Sequence, residues 1–248
     1  MHPLSDRTIA IIGASRGLGR GAAEAFAAAG ANVVAIARDQ RALEDLAASH
    51  DRVRPLAMDA TTPNSPDAVI TDHHPDVLVL VAGITPPIAP INELSWTEFS
   101  ATWETDVKLT HVWLSAALNA PMRSGSRVIV ISSGASLNGS PRSGGYAGAK
   151  AMQRFMAADA QVESDQRGLG ISVISVLPKL TPLTAVGAVG ALAHAGLAGI
   201  SVAEFTEQVG ETLTPRIFGQ ALVDLAGRPA AQAAGSFRLT VDGITPLV

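Results

Sequence analysis

Two nearly unbroken apolar runs, VLVLVA at Val77–Ala82 and RVIVIS at Arg127–Ser132, constrain this chain more than any other feature. A strand with one wet face alternates apolar and polar residues. These do not, so they suit a parallel sheet covered by helices on both faces. Further β-rich runs lie at Thr8–Ile12, Asn32–Ala37, Val53–Met58, Gly170–Leu177 and Phe237–Val241, and the first apolar run belongs to a strand read over Asp76–Val81. Helical stretches separate them, at Gly17–Ala29, Asp39–Ala48, Ser95–Ala120, Tyr146–Arg167 and Pro215–Ala226. This alternation predicts an α/β fold: a doubly wound sheet of about seven parallel strands, helices on both faces, with right-handed crossovers.

With 248 residues and no Pro/Gly/Ser linker or internal repeat, the expectation is one domain over 1–248. A hydrophobic share of 47% against 16% charged excludes general disorder. The formal net charge of -4 argues against a nucleic-acid or anionic-membrane surface. No cysteine is present, which removes disulfides, thiolate metal sites and cysteine nucleophiles. The start, MHPLSDRTIAIIG, lacks the features of a signal peptide, and a cytoplasmic location is expected. Leu180–Ala203 carries no Asp, Glu, Lys or Arg, but its alanines, glycines and Pro182 make a poor membrane span. It reads instead as an apolar substrate flap around 180–205.

The first strand runs directly into Gly13-Ala14-Ser15-Arg16-Gly17-Leu18-Gly19, and a helix follows. Glycines there permit a tight turn and let backbone N–H groups approach a pyrophosphate, which the helix N-terminus also favours. The spacing, G-x-x-x-G-x-G, differs from the commoner dinucleotide fingerprint, but its strand–turn–helix setting points to a dinucleotide. An acidic residue at the end of the second strand would hold the free ribose of NAD; here Ala37 is followed by Arg38. Arg38, joined by Arg16, suits the 2′-phosphate of NADP(H). Two alternatives stand beside this: Asp39 turns in as the acidic partner, or Arg38 and Asp39 merely cap a surface turn.

Tyr146, the one tyrosine of the chain, stands four residues before Lys150. On a helix the two share a face. A cation beside a phenol favours phenolate, and a phenol so tuned can exchange a proton with a substrate oxygen. Ser133, at the end of the Arg127–Ser132 strand, can hydrogen-bond the same oxygen.

In these pieces the sequence resembles the short-chain dehydrogenase/reductase family, over practically its whole length. The matching segments are Gly13-x-x-x-Gly17-x-Gly19, Asp59 after the third strand, Ala82-Gly83 after the fourth, Ser133, Tyr146-x-x-x-Lys150, and Pro178 after the sixth. The resemblance implies a Rossmann-like fold and hydride exchange between a nicotinamide and a carbonyl or alcohol, without metal. It also implies a homo-oligomer, tetramer or dimer. By that likeness Tyr146 is the general acid/base, Ser133 orients the substrate oxygen, and Lys150 tunes Tyr146 and grips the ribose. Ser15, Arg16, Leu18, Asp59, Ala60, Ala82, Gly83, Pro178 and Thr181 complete the cofactor wall. Asp106 occupies the place of the asparagine that supports the family's proton relay.

The sequence departs from the family at four places. Ile12 replaces a threonine before the first glycine, Leu80-Val81 replace a pair of asparagines, Lys179 replaces the glycine after Pro178, and Asp106 is the fourth. They leave open a rival reading, an NADP(H)-binding regulatory or scaffold protein without turnover. His73-His74 reads as a solvated helix end, His111 and His194 as core or flap residues. Trp96, Trp103 and Trp113 read as packing or subunit contacts. The apolar flap predicts a substrate with hydrophobic bulk.

Overall fold

The segment Thr8–Ile12 is β-branched except at Ala10, and its alternate residues reach opposite faces of the sheet it forms. A computed structural model describes residues 4–229 and 234–247. In it β1 (Thr8–Ile12), β2 (Asn32–Ala37), β3 (Val53–Ala57), β4 (Val77–Leu80), β5 (Arg127–Ile131), β6 (Ser172–Pro178), β7 (Gly235–Thr240) and β8 (Gly243–Pro246) form one sheet. Their order is β3-β2-β1-β4-β5-β6-β7-β8. The order reverses between β1 and β4, which opens a crevice at the carboxyl ends of those strands.

Strand after strand divides its residues between two cores. Ile9, Ile11, Val77, Val79 and Ile129 join one; Ala10, Ile12, Leu78, Leu80 and Val128 join the other. Helices α1 (Gly17–Ala28), α2 (Gln40–Ala48) and α10 (Pro215–Gly227) cover the first face, with Phe26, Leu43, Phe218 and Leu222 buried there. Helices α3 (Ser65–His73), α5 (Lys108–Asn119) and α7 (Tyr146–Gln166) cover the second, through Val69, Trp113 and Ala157. Burial on both faces is why the strands read as continuous apolar runs. Arg127, at the base of β5, donates to the carbonyls of Leu225 (2.8 Å), Ala226 (2.7 Å) and Arg228, and so caps the last turn of α10.

Two expectations need correction. The sheet has eight strands, because the chain turns back at Val241-Asp242 and β8 pairs antiparallel with β7. Asp242-Gly243, with Gly243 at φ 116, supplies the hairpin chemistry that reading a strand through Val241 overlooked. The long helix read over Ser95–Ala120 is three pieces: α4 (Trp96–Thr102), a π-helical turn (Trp103–Val107) and α5. The segment around 180–205 is helical, with α8 (Ala185–Ala198) running from the Thr184 cap to the left-handed Gly199. Helix α9 (Val202–Val209) starts at the Ser201–Glu204 capping box, and α6 (Ala135–Asn138) is a single turn after β5. Among the described residues no single helix is long and apolar enough to cross a membrane; α8 and α9 together are apolar but bent by 104°.

Candidate active site

At the crevice, Gly13 accepts φ 104, and a Cβ there would meet the Ala82 nitrogen at 2.6 Å. A Cβ on Gly19 would run into the Gly13 carbonyl. The turn therefore passes close under β4 and delivers α1 with its first N–H groups open: no side chain caps it and no acidic residue stands in its first turn. An anion fits such an end. Arg38 is exposed just past β2, while the neighbouring Asp39 carboxylate accepts from the Ala42 N–H (3.1 Å) as the cap of α2. Asp59 accepts from the Thr61 N–H (2.9 Å) and hydroxyl (2.7 Å), which hold its carboxyl below the usual carboxylate range. The Ala60 carbonyl accepts from buried Trp113 Nε1 (2.9 Å), fixing this loop to α5.

The opposite end of the crevice is built by side chains. Ser132 Oγ donates to the Lys150 carbonyl (2.6 Å), so β5 clips the first turns of α7. Ser133 Oγ accepts from the Ala135 N–H (3.2 Å), which orients it at the start of α6. Lys150 Nζ lies 5.7 Å from the Tyr146 ring centre, as their shared helical face requires. That ammonium is buried, 3.1 Å from Asp106 Oδ2. Burial works against its charge, but Asp106 and Tyr146 outweigh it and hold the Lys150 pKa above its ordinary value. Asp106 sits in the π-helical turn, a distortion frequent at functional sites. Its Oδ1 accepts from the Ile84 N–H (3.1 Å) and the Thr105 hydroxyl (3.2 Å). Its Oδ2 makes no well-aligned hydrogen bond, and a Cβ on Gly83 would come within 2.6 Å of it. The loop after β4, where Leu80-Val81 offer no amide side chains, thus gains a polar tie from the helix side.

The candidate catalytic and cofactor-binding residues of the sequence line one cleft of about 1090 Å3: Gly13 through Gly19 except Ala14, Arg38, Asp59, Ala60, Ala82, Gly83, Asp106, Ser133, Tyr146, Lys150, Pro178 and Thr181. Its further wall includes Ile84, Pro86, Ile88, Leu137, Leu183 and Val186. His194 lines it too, stacked on Phe205 at 5.5 Å, whereas His111 is exposed on α5. Trp113 is fully buried; Trp96 is exposed and stacks on Phe99.

The residue that sequence reasoning missed is Gln153. It is buried, its Oε1 accepts from Lys150 Nζ (2.8 Å), and its Nε2 donates to the Asp106 carbonyl (3.2 Å) and Thr110 Oγ1 (2.7 Å). The signal was present: Tyr146, Lys150 and Gln153 fall at i, i+4 and i+7, one face of α7.

The family described as short chain dehydrogenase matches residues 7–189. The chain belongs to it. The members of this family are oxidoreductases that bind nicotinamide cofactors. A short-chain type dehydrogenase/reductase of Sinorhizobium fredii is 31% identical over 109 residues, 44% of either chain, so the match spans under half of that relative. The crystal structure of a 3-ketoacyl-(acyl-carrier-protein) reductase from Brucella melitensis, complexed with NADH, superposes with a TM-score of 0.77. It is 19% identical and the match covers 95% of this chain and 97% of that one, a likeness of fold. In this short-chain dehydrogenase the doubly wound α/β architecture is the one the apolar runs predicted; the departures are the eighth strand, the break in the Ser95–Ala120 helix and the helices α3, α8 and α9.

Proposed function

We propose that this short-chain dehydrogenase is an NADP(H)-dependent oxidoreductase acting on a carbonyl or alcohol substrate with apolar bulk. The observation that carries this reading is the convergence of the glycine turn, Arg38 and the Ser133–Tyr146–Lys150 group on one cleft. The residues fit the dinucleotide: Gly13 and Gly19 keep a cradle that side chains would fill, and the uncapped start of α1 faces anionic charge. When bound, the nicotinamide supplies or accepts the hydride. Tyr146 gives a proton to the substrate oxygen or takes it back, Ser133 holds that oxygen, and Lys150 supplies the positive field beside the phenol. Arg38 and Arg16 would hold the 2′-phosphate; Asp39 is engaged at the cap of α2, which supports NADP(H) over NAD(H).

The cleft exceeds the usual range of about 300–1,000 Å3 for a small-molecule site, room for cofactor and substrate together. Ile84, Ile88, Leu137, Leu183 and Val186 favour an alkyl or aryl substituent on the substrate. Helices α8 and α9 act as the flap of a single domain. Exposed Phe155 and Val162, seven apart on α7, and exposed Trp96 support a homo-oligomer, tetramer or dimer; its proposed location is the cytoplasm.

The test follows NADPH absorbance against a panel of ketones, aldehydes and quinones. Turnover with bulky apolar members, faster with NADPH than NADH, is expected. Arg38→Gln should narrow the NADPH preference by about 1.5–3 kcal/mol, the worth of a charge-assisted contact. Cofactor binding without turnover across the panel would leave a binding protein in place of an enzyme.

A further inference from the structure

The Lys150 ammonium donates to Gln153 Oε1 at 2.8 Å and to the Ile131 carbonyl at 3.4 Å, and it pairs with the Asp106 carboxylate, whose Oδ2 lies 3.1 Å away without a well-aligned hydrogen bond. The shortest is the bond to Gln153. The same amide reaches the Asp106 carbonyl and Thr110 Oγ1, closing a buried ring between α7, α5 and the π-helical turn. A water could bridge such groups, but a side-chain amide does it with fixed dipoles.

We propose that Gln153 is a positioning residue: it draws the Lys150 ammonium toward Asp106 and away from the Tyr146 phenol, and so sets the pH at which that phenol exchanges its proton. This deepens the oxidoreductase reading and rests on it for its catalytic meaning. Gln153 acts only through Lys150. The groups that bear on the ammonium are few. Asp106 comes from the π-helical turn and Tyr146 from its own helix. The end of β5 and the two residues after it present the Ile131 carbonyl, Ser132 and Ser133, none of which carries a charge, and His194 of α8 lies on the wall of the same cleft.

Removing the Gln153 acceptor leaves a buried N–H donor in search of a partner. The Tyr146 ring lies 5.7 Å away on the same helical face, and its oxygen accepts better as phenolate; Asp106 Oδ2, at 3.1 Å, is the competing acceptor, and capture by it would leave the phenol where it was. Gln153→Met keeps the side-chain length and most of the packing. The two acceptors that lose Nε2 are already bonded to each other, since Thr110 Oγ1 donates to the Asp106 carbonyl at 2.9 Å, so the variant leaves neither of them bare.

Because Tyr146 is the only tyrosine, the ultraviolet band of its phenolate reports this one group in the protein alone, with no cofactor or turnover. The experiment titrates that band in the parent, Gln153→Met, Asp106→Asn, Lys150→Met and the Lys150→Met/Gln153→Met double variant, with melting curves alongside. The band should appear about half a pH unit or more lower in Gln153→Met, and lower still in Asp106→Asn, which removes a whole charge. In the Lys150→Met background the Gln153 substitution should move nothing. Gln153→Leu stands in if the methionine variant does not fold. A Gln153 variant whose melting point falls while its band stays put or rises, or an equal shift without Lys150, would overturn the proposal. If no carbonyl in the panel turns over, the titration still decides the role of Gln153, so the two readings fail separately.

Discussion

At one end of the cleft the wall is main chain: Gly13, Gly17 and Gly19 pass under β4, and α1 offers its first N–H groups. At the other end it is side chain: Asp106, Lys150, Gln153, Thr110 and Tyr146 meet from the π-helical turn, α5 and α7. The first end asks only that certain positions carry no side chain, so neighbouring residues are free to vary. The second depends on the identity of each member, because a buried polar ring with one partner missing costs more than the bond it loses. Departures from the family accordingly act differently at the two ends. Ile12 before the glycine turn is absorbed into the core, while Asp106 brings a carboxylate against Lys150.

The sharpest break between the ends is Tyr146→Phe. Turnover should fall by about 10²–10⁴, the usual contribution of a general acid, while NADPH binding by calorimetry stays close to that of the parent. A near-normal rate would remove Tyr146 from the mechanism. Gly19→Ala attacks the other end, since its Cβ meets the Gly13 carbonyl and the turn must move. Overpacking of this kind costs about 1–3 kcal/mol, and we expect it as weakened NADPH affinity with the Tyr146 phenolate band unmoved. Ser95→Ala is the mildest. It opens the capping box of α4, which leads into the π-helical turn. Loss of about 1 kcal/mol in a denaturant titration is expected, with NADPH affinity unchanged.

The difference between the ends also explains what could be read from sequence. A main-chain site leaves glycines at fixed spacing, and sheet strands buried on two faces leave apolar runs, so both were legible. Tyr146 and Lys150 lie on one helix and were legible by period. The link from Asp106 to Gln153 joins positions far apart in sequence, which no local pattern records. Helix α3 was missed because its sequence, SPDAVITDH, has little amphipathic contrast. Helix α8, nearly all Ala, Gly, Val and Leu, has none, and only its caps at Thr184 and Gly199 mark it. The break in Ser95–Ala120 escaped notice because a π turn changes the hydrogen-bond register without needing a proline or glycine. Strand β8 is four residues long, too short to show alternation.

The seam where α10 lies on α1, fastened below by Arg127, has a consequence in time. α1 is among the first elements to be synthesised and α10 among the last, so their contact is about as non-local as the chain permits and closes late. Until then Phe26 and its neighbours lack Phe218 and Leu222 of α10, and the helix that follows the glycine turn is covered on one side only in part. The glycine turn, made first, leads into a helix whose covering partner is made last; a nascent chain halted before Pro215 holds the whole glycine signature and still lacks the helix that packs on α1.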